Sequence, residues 1–331
     1  MFTVHNPGTA VVLCVLTMIG WGSWANTQKL AGREKWPFEL FYWDYALGVA
    51  LMGALLCASL GMNGTVGMSS LMNLHSAGAA SVWKAVGSGA VFNLANILLV
   101  AAIDAAGMAV AFPLGIGLAL VLGTAVSYWQ VPKGNVLLLC CGVAGIIAAM
   151  ALSAAAYRRL PRPTDSPKGN GVVFAIAAGL LMGFFYPLLM KSISPDFNNQ
   201  PIAAGTLTPY TALLFFGAGV LISSVPINGW FMRSRHSRFR DYLAASGRLH
   251  WPGVLGGAIW MTALGLNVVA SGVAGPAISY ALGQGATLIA ALWGVFVWKD
   301  FRSAPKGINV LLATMLAAYS IGIILIGMAI L

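Results

Sequence analysis

Apolar residues fill this chain in runs of about 20, each closed by a short polar break, and a run of that length wound as a helix matches the hydrocarbon core of a bilayer. Ten such spans are predicted: 9–28, 40–60, 83–103, 107–129, 135–157, 171–190, 207–226, 251–271, 274–298 and 306–330. The first run leads into Trp21 and Trp24 and reads as a retained span rather than a cleaved signal. The polar, Gly/Ser/Met-rich stretch 61–81 is a loop with room for a surface helix. Proline and basic residues crowd 158–169, so residues 161–169 read as a cytoplasmic linker between a first repeat, 1–160, and a second, 170–331.

The pattern repeats. Residues 87–134 form a hairpin with a break at Ala106-Gly107 and a turn ending Pro132-Lys133-Gly134. Residues 255–307 echo it, with a break placed at Gly272 and a turn ending in Pro305-Lys306-Gly307. Gly-Ala-Val-Phe at 89–92 answers Gly-Ala-Ile-Trp at 257–260. Duplicated hairpins in an apolar chain are the mark of a repeat-built transporter. Five spans per half is an odd number, so the second half enters the membrane from the opposite side. The expected fold is therefore all-α and integral to the membrane, ten helices in a 5+5 inverted-topology repeat.

Composition agrees: 59% of residues are hydrophobic and 8% charged, where a soluble domain carries roughly 25% charged residues. A net charge of +10 suggests nucleic acid in a soluble protein. Here the basic residues sit in short loops, where they report orientation instead. All but three of the 18 Lys and Arg residues (Lys84, Lys133 and Lys191 are the exceptions) fall in the loops 1–2, 5–6, 7–8 and 9–10. The positive-inside rule places those loops in the cytoplasm and both termini outside. The four cysteines lie within apolar runs, no Cys/His spacing resembles a metal site, and no cofactor motif appears.

Polar groups at membrane depth are costly, so each is a functional candidate. Thr17, Trp21, Trp24 and Gln28 share one stripe of span 1. They read either as a packing seam or as a stacking wall for a flat substrate. Asn93 and Asn96 on span 3 read either as interhelical glue or as ligand contacts. Pro276, Tyr280, Gln284 and Thr287 share a stripe of span 9, and Gly283 and Gly285 leave the backbone at Gln284 open to close approach. Trp260 and Asn267 on span 8 and Tyr186 with Pro187 on span 6 complete the set. Candidate substrate-binding residues are thus Trp21, Trp24, Asn93, Asn96, Tyr186, Trp260, Tyr280 and Gln284. Asp44 is the carboxylate most readily drawn into a span, where it is able to carry a proton. The four histidines fall in loops and make poor proton relays. No Arg or Lys lies mid-span, which argues against phosphorylated substrates, and span 1 holds no carboxylate, which argues against cationic drugs. Trp, Tyr, Asn and Gln suit a small, neutral, polar solute. No Walker, GxSxG or HExxH motif supports an enzyme.

Several stretches resemble a known group. The ten-span plan is similar to the drug/metabolite transporter superfamily. Trp21-Gly-Ser-Trp24 with Tyr42-Trp-Asp-Tyr45, Phe92-Asn-Leu-Ala-Asn96, Leu122-Gly-Thr124 through Tyr128, Tyr210 to Phe216, Phe239 to Leu243 and Trp293-Gly-Val-Phe296 resemble the ureide permeases and the related sugar-uptake (rhamnose/glucose transporter) branch. The resemblance implies a secondary transporter importing ureides such as allantoin, or related oxo-heterocycles, with H+ as coupling ion. Sugar uptake, or export of amphipathic metabolites, is the alternative. Two features depart from the plant members. Phe112 stands where they carry an acidic residue, and the central linker is short, which implies a bacterial inner-membrane location.

Overall fold

The computed structural model describes residues 1–32, 36–64, 66–160, 170–199, 201–302, 304–305 and 307–330. The expected linker at 161–169, with Arg33, Lys35 and Lys306 of the basic loops, lies outside the described residues. Among those described, ten helices are long and apolar enough to cross a membrane. They are span 1 (Pro7–Ala31), span 2 (Phe38–Ala58), span 3 (Ala79–Ala106), span 4 (Phe112–Gln130), span 5 (Val136–Arg158), span 6 (Gly171–Met190), span 7 (Pro209–Ser234), span 8 (Gly247–Ala274), span 9 (Pro276–Trp298) and span 10 (Ile308–Met328). The polar stretch before span 3 holds a short helix, Ser70–Ser76.

Local chemistry sets the ends. The Asn6 side chain accepts from the Gly8 amide at 2.7 Å and Pro7 fills the first turn of span 1. Asn135 caps span 5 in the same way. Span 3 stops at Gly107 (φ 78°) and span 8 at Gly275 (φ 83°), a left-handed step that only glycine takes without strain. The second break therefore falls at Gly275 and not at Gly272, which lies inside span 8. The cap needs positive φ, and Pro276 can then start span 9 without an orphaned N–H. Span 7 runs through Pro226 to Ser234, beyond its expected end, since a buried transmembrane helix tolerates one lost backbone bond.

The spans pack in matched pairs: 3 with 6 and 8 with 1, 2 with 8 and 7 with 3, 4 with 6 and 9 with 1, and 2 with 7, 4 with 9, 5 with 10. Glycines permit the closest of these approaches. A Cβ on Gly48 would overlap the Val254 carbonyl oxygen, and one on Gly219 would overlap that of Val86. A Cβ on Gly89 meets the Phe216 carbonyl, and one on Gly257 the Tyr45 carbonyl. Large apolar side chains stay exposed in helical stripes, such as Val12, Leu16 and Ile19 on span 1 or Ile321 and Ile324 on span 10, as a lipid-facing surface requires.

The two ends of the bundle differ. At one, Met1 donates to the Val66 carbonyl (3.0 Å) and Asn135 to that of Ala329 (3.0 Å), so both termini lie there. The other end gathers Lys29 with Asp300 (3.8 Å), Arg235 with Asp104, and the basic loop before span 8. We call it the basic end.

Overpacking a tight crossing costs about 1–3 kcal/mol. Gly48→Ala and Gly219→Ala are expected to destabilise the bundle to that extent. Gly229→Ala on span 7, whose Cβ meets nothing within 4 Å, is the control. Thermal unfolding in detergent checks this, with equal melting for all three variants as the contrary result.

Candidate functional site

A cavity of about 290 Å³ lies inside the bundle. Spans 2 and 7 give it no wall residue, while the other eight spans do. Its lining runs from mid-bundle (Trp21, Phe92, Asn96, Phe185, Trp260, Gln284) to the basic ends of the spans (Lys29, Ile103, Phe112, Tyr157, Trp298, Asp300). The cavity therefore opens at the basic end.

Its floor is aromatic. Trp21 and Trp260 stack at 5.8 Å with 19° between planes, and the Trp21 indole N–H donates to the Trp260 carbonyl at 3.3 Å. Trp260 also stacks with Phe92 at 4.0 Å and with Phe216 at 5.8 Å. Trp24 lies 4.8 Å from the Tyr45 ring. Gly283 makes room for Trp21, since a Cβ there would meet the indole at 2.7 Å. Two amides punctuate these rings. Asn96 donates to the Tyr42 hydroxyl at 3.3 Å, which ties it to span 2. Gln284 stands where span 9 breaks between Gly283 and Ala286, its carbonyl taken by the Thr287 hydroxyl at 3.0 Å. Among the described residues, the deep part of the cavity carries no charged side chain.

The structure thus brings Trp21, Trp24, Asn96, Trp260 and Gln284 onto one wall. It places Asn93, Tyr186 and Tyr280 elsewhere. Asn93 is fully buried between spans 3 and 7, donating to Ser223 at 2.8 Å. Tyr186 and Tyr280 pack at 4.9 Å on the terminal side of the floor. There Tyr186 and Ser279 share a hydrogen bond at 3.1 Å, and Tyr280 donates to the carbonyls of Met182 (3.3 Å) and Ala119 (3.4 Å). A Cβ on Gly123 would collide with the hydroxyl edge of the Tyr280 ring, so this ring packs directly on the span 4 backbone and helps close the terminal side of the floor.

Sequence reasoning missed the mouth. Trp298 donates to Asn26 at 2.6 Å and Trp293 to Ser23 at 2.9 Å, which ties span 9 to span 1. The Lys29 ammonium sits 4.7 Å above the Trp298 ring while pairing with Asp300. Trp293 and Trp298 lie in a π-helical turn, Trp293–Trp298. The Trp293-Gly-Val-Phe296 stretch was legible as a motif, but its partners on span 1 were not.

Asp44 is 1% exposed and lies behind the wall, between span 2 and span 8. It accepts from the Tyr242 hydroxyl at 2.7 Å and sits 3.0 Å from His250 Nδ1. Burial, then the adjacent Asp44 carboxylate, raises the Tyr242 phenol above its ordinary range, so it remains a donor. The expectation that all histidines lie in loops is corrected here. His250 occupies the first turn of span 8, because that helix starts at Gly247, and His75 lies in the short helix Ser70–Ser76. From Asp44, Tyr45 leads to Trp24 and Tyr42 leads to Asn96.

Residues 158–329, just over half of the sequence, match the ureide permease family. The chain belongs to the ureide permease family. Ureide permease 1 of Arabidopsis thaliana is 20% identical over 98% of this chain and 97% of its own length. Ureide permease 2 of the same plant is 21% identical, with 96% of each covered. Ureide permease 5 is 26% identical over 47% of this chain and 38% of its own. A protein of known crystal structure aligns with a TM-score of 0.58 at 13% identity, covering 96% of this chain and 97% of that one, a likeness of fold. This family transports rather than catalyses. With its ten apolar helices, this ureide permease family member is a multi-pass integral membrane permease for a small-molecule substrate.

With Cys140 and Cys141, which are exposed, replaced by Ser, a cysteine at the cavity residue Thr287 is expected to react with a membrane-impermeant thiol reagent supplied at the basic end. A cysteine at Ser279, under the floor, is expected to stay shielded from that side. Equal labelling would place the opening elsewhere.

Proposed function

We propose that the protein is a secondary transporter that imports a small neutral polar metabolite of the ureide or oxo-heterocycle class, coupled to protons. The observation that carries this reading is the cavity floor. The half-buried rings of Trp21 and Trp24 line it, backed by the stacked and nearly buried Trp260 and Phe92, and Asn96 and Gln284 stand beside them with groups that both donate and accept. A planar solute rich in N–H and C=O groups satisfies both. The likeness to plant ureide permeases over nearly the whole chain supports the same class.

The mechanism we propose is alternating access by two inverted halves, 1–160 and 170–331. Exchange of the halves turns each of the span pairs named above into a member of the same set. Gly48 on Val254 then corresponds to Gly219 on Val86, and Gly89 on Phe216 to Gly257 on Tyr45. The concentration of Lys and Arg supports a cytoplasmic basic end, with both termini outside. Asp44 is the proposed proton site. Its carboxylate joins span 2 of the first half to Tyr242 and His250 of the second, and the partly exposed His250 gives a route from the basic end.

Proteoliposomes placed in a more acidic buffer are expected to accumulate labelled allantoin. Asp44→Asn should abolish accumulation yet keep exchange across equal pH, and unchanged accumulation clears Asp44 of the role. A lack of pH-driven uptake for every ureide, nucleobase and sugar tried removes the import reading. Asn96→Ala and Gln284→Ala, each losing one hydrogen bond to solute, should lower kcat/KM about 10-fold. Asn93→Ala should lower the melting temperature instead, and the reverse pattern would move the site.

A further inference from the structure

The closed end of this molecule is a pattern for the end that stands open. This step rests on the inverted-repeat reading above. At the closed end the seal is the Tyr280 ring laid on the bare backbone at Gly123, where a side chain on that glycine would collide with it. If the halves are equivalent, closure of the basic end needs a ring from early span 4 and a bare backbone position late in span 9.

The sequence supplies both. Gly107 and Gly275 end spans 3 and 8 with the same positive-φ step, each amide bonded to the residue four before it (Ile103 and Ser271). They fix the register between the halves. Tyr280 stands five positions after Gly275, and Phe112 stands five positions after Gly107. Counted from those caps the counterpart of Gly123 is Ala291, and counted back from the matching Pro-Lys-Gly turns it is Phe296, because span 9 is the longer of the two; Gly294 is the only glycine in that interval. Phe112 and Gly294 both line the open mouth of the cavity. They lie in π-helical turns, Phe112–Gly117 and Trp293–Trp298, whereas Tyr280 and Gly123 lie in α-helix, Pro276–Gly283 and Leu118–Gln130. π-Turns collect at segments that do work, and the two found in the mouth mark the pieces that differ between the ends.

We infer that Phe112 and Gly294 form the second gate: as the basic end closes, the Phe112 ring seats on the span 9 backbone at Gly294. This assigns a function to Phe112, which the chemistry of the floor leaves unused. A Cβ on Gly294 would meet the Asp300 carboxylate at 3.0 Å and the Tyr157 hydroxyl at 3.4 Å, so the ring takes the place of those two groups as it seats.

The test uses the full chain in proteoliposomes, with all four native cysteines replaced. Phe112→Cys/Gly294→Cys is cross-linked with a short bis-methanethiosulfonate, which joins the two thiols through disulfides with sulfinate leaving, in the presence and absence of Ser279→Cys as a reporter. The expected result is cross-linking that stops allantoin uptake, is reversed by reduction, and exposes the Ser279→Cys thiol to reagent added at the terminal end. If Ser279→Cys becomes exposed in uncross-linked protein during turnover but the 112/294 pair never joins, the gate lies elsewhere and the proposal falls while alternating access stands. If Ser279→Cys never becomes exposed in protein that still takes up allantoin, the inverted-halves mechanism itself is wrong, and the gate falls with it. Gly294→Trp gives a second, independent reading. Uptake should be lost while allantoin still shifts the melting temperature, and uptake at the level of the parent protein would overturn the gate.

Discussion

In lipid, two helices gain almost nothing by hiding apolar surface from each other, because the acyl chains are as apolar as leucine. What remains is how closely backbones can meet and how well buried polar groups are paired. The crossings at Gly48, Gly89, Gly219 and Gly257 answer the first demand. The second is answered at neighbouring interfaces, where Thr17 of span 1 bonds the Ala263 carbonyl of span 8, Ser88 of span 3 the Phe185 carbonyl of span 6 and Asn228 of span 7 the Glu39 carbonyl of span 2. The glycine crossings knit spans 2, 3, 7 and 8 together, and the polar pairs tie spans 1 and 6 to them. Spans 2 and 7 serve as scaffold, which is why neither reaches the wall.

That division separates two jobs that the sequence shows mixed together. Asn93 and Asn96 lie one turn apart on span 3. One meets Ser223 on the scaffold side; the other lines the cavity with its amide propped by Tyr42. The same split divides the span 9 stripe. Tyr280 joins the seal beneath the floor, and Gln284, one turn later, stands on the wall. A polar side chain at membrane depth is therefore a good sign of importance and a poor sign of which task it has.

The spans were readable because a bilayer demands a length. The five cavity residues read from the sequence, Trp21, Trp24, Asn96, Trp260 and Gln284, stood out as polar or aromatic residues within apolar runs. What stayed hidden depends on neighbours distant in the chain. Nothing near Trp298 announces Asn26, and nothing near Asp44 announces His250, 206 residues away. Phe92 and Phe185 look like ordinary apolar residues until Trp260 is set against them. The exact helix start mattered too: a few residues' error at Gly247 was enough to leave His250 in a loop.

The lack of fixed charge in the deep cavity has an electrical corollary. A neutral solute of the proposed class would carry no charge through the membrane field, so voltage would do no work on it, whereas each elementary charge that crosses is worth about 2.3 kcal/mol per 100 mV. Lys29 and Asp300 at the mouth cancel each other. Any current recorded during a cycle then counts coupling ions alone, and a substrate-dependent current becomes a direct measure of stoichiometry.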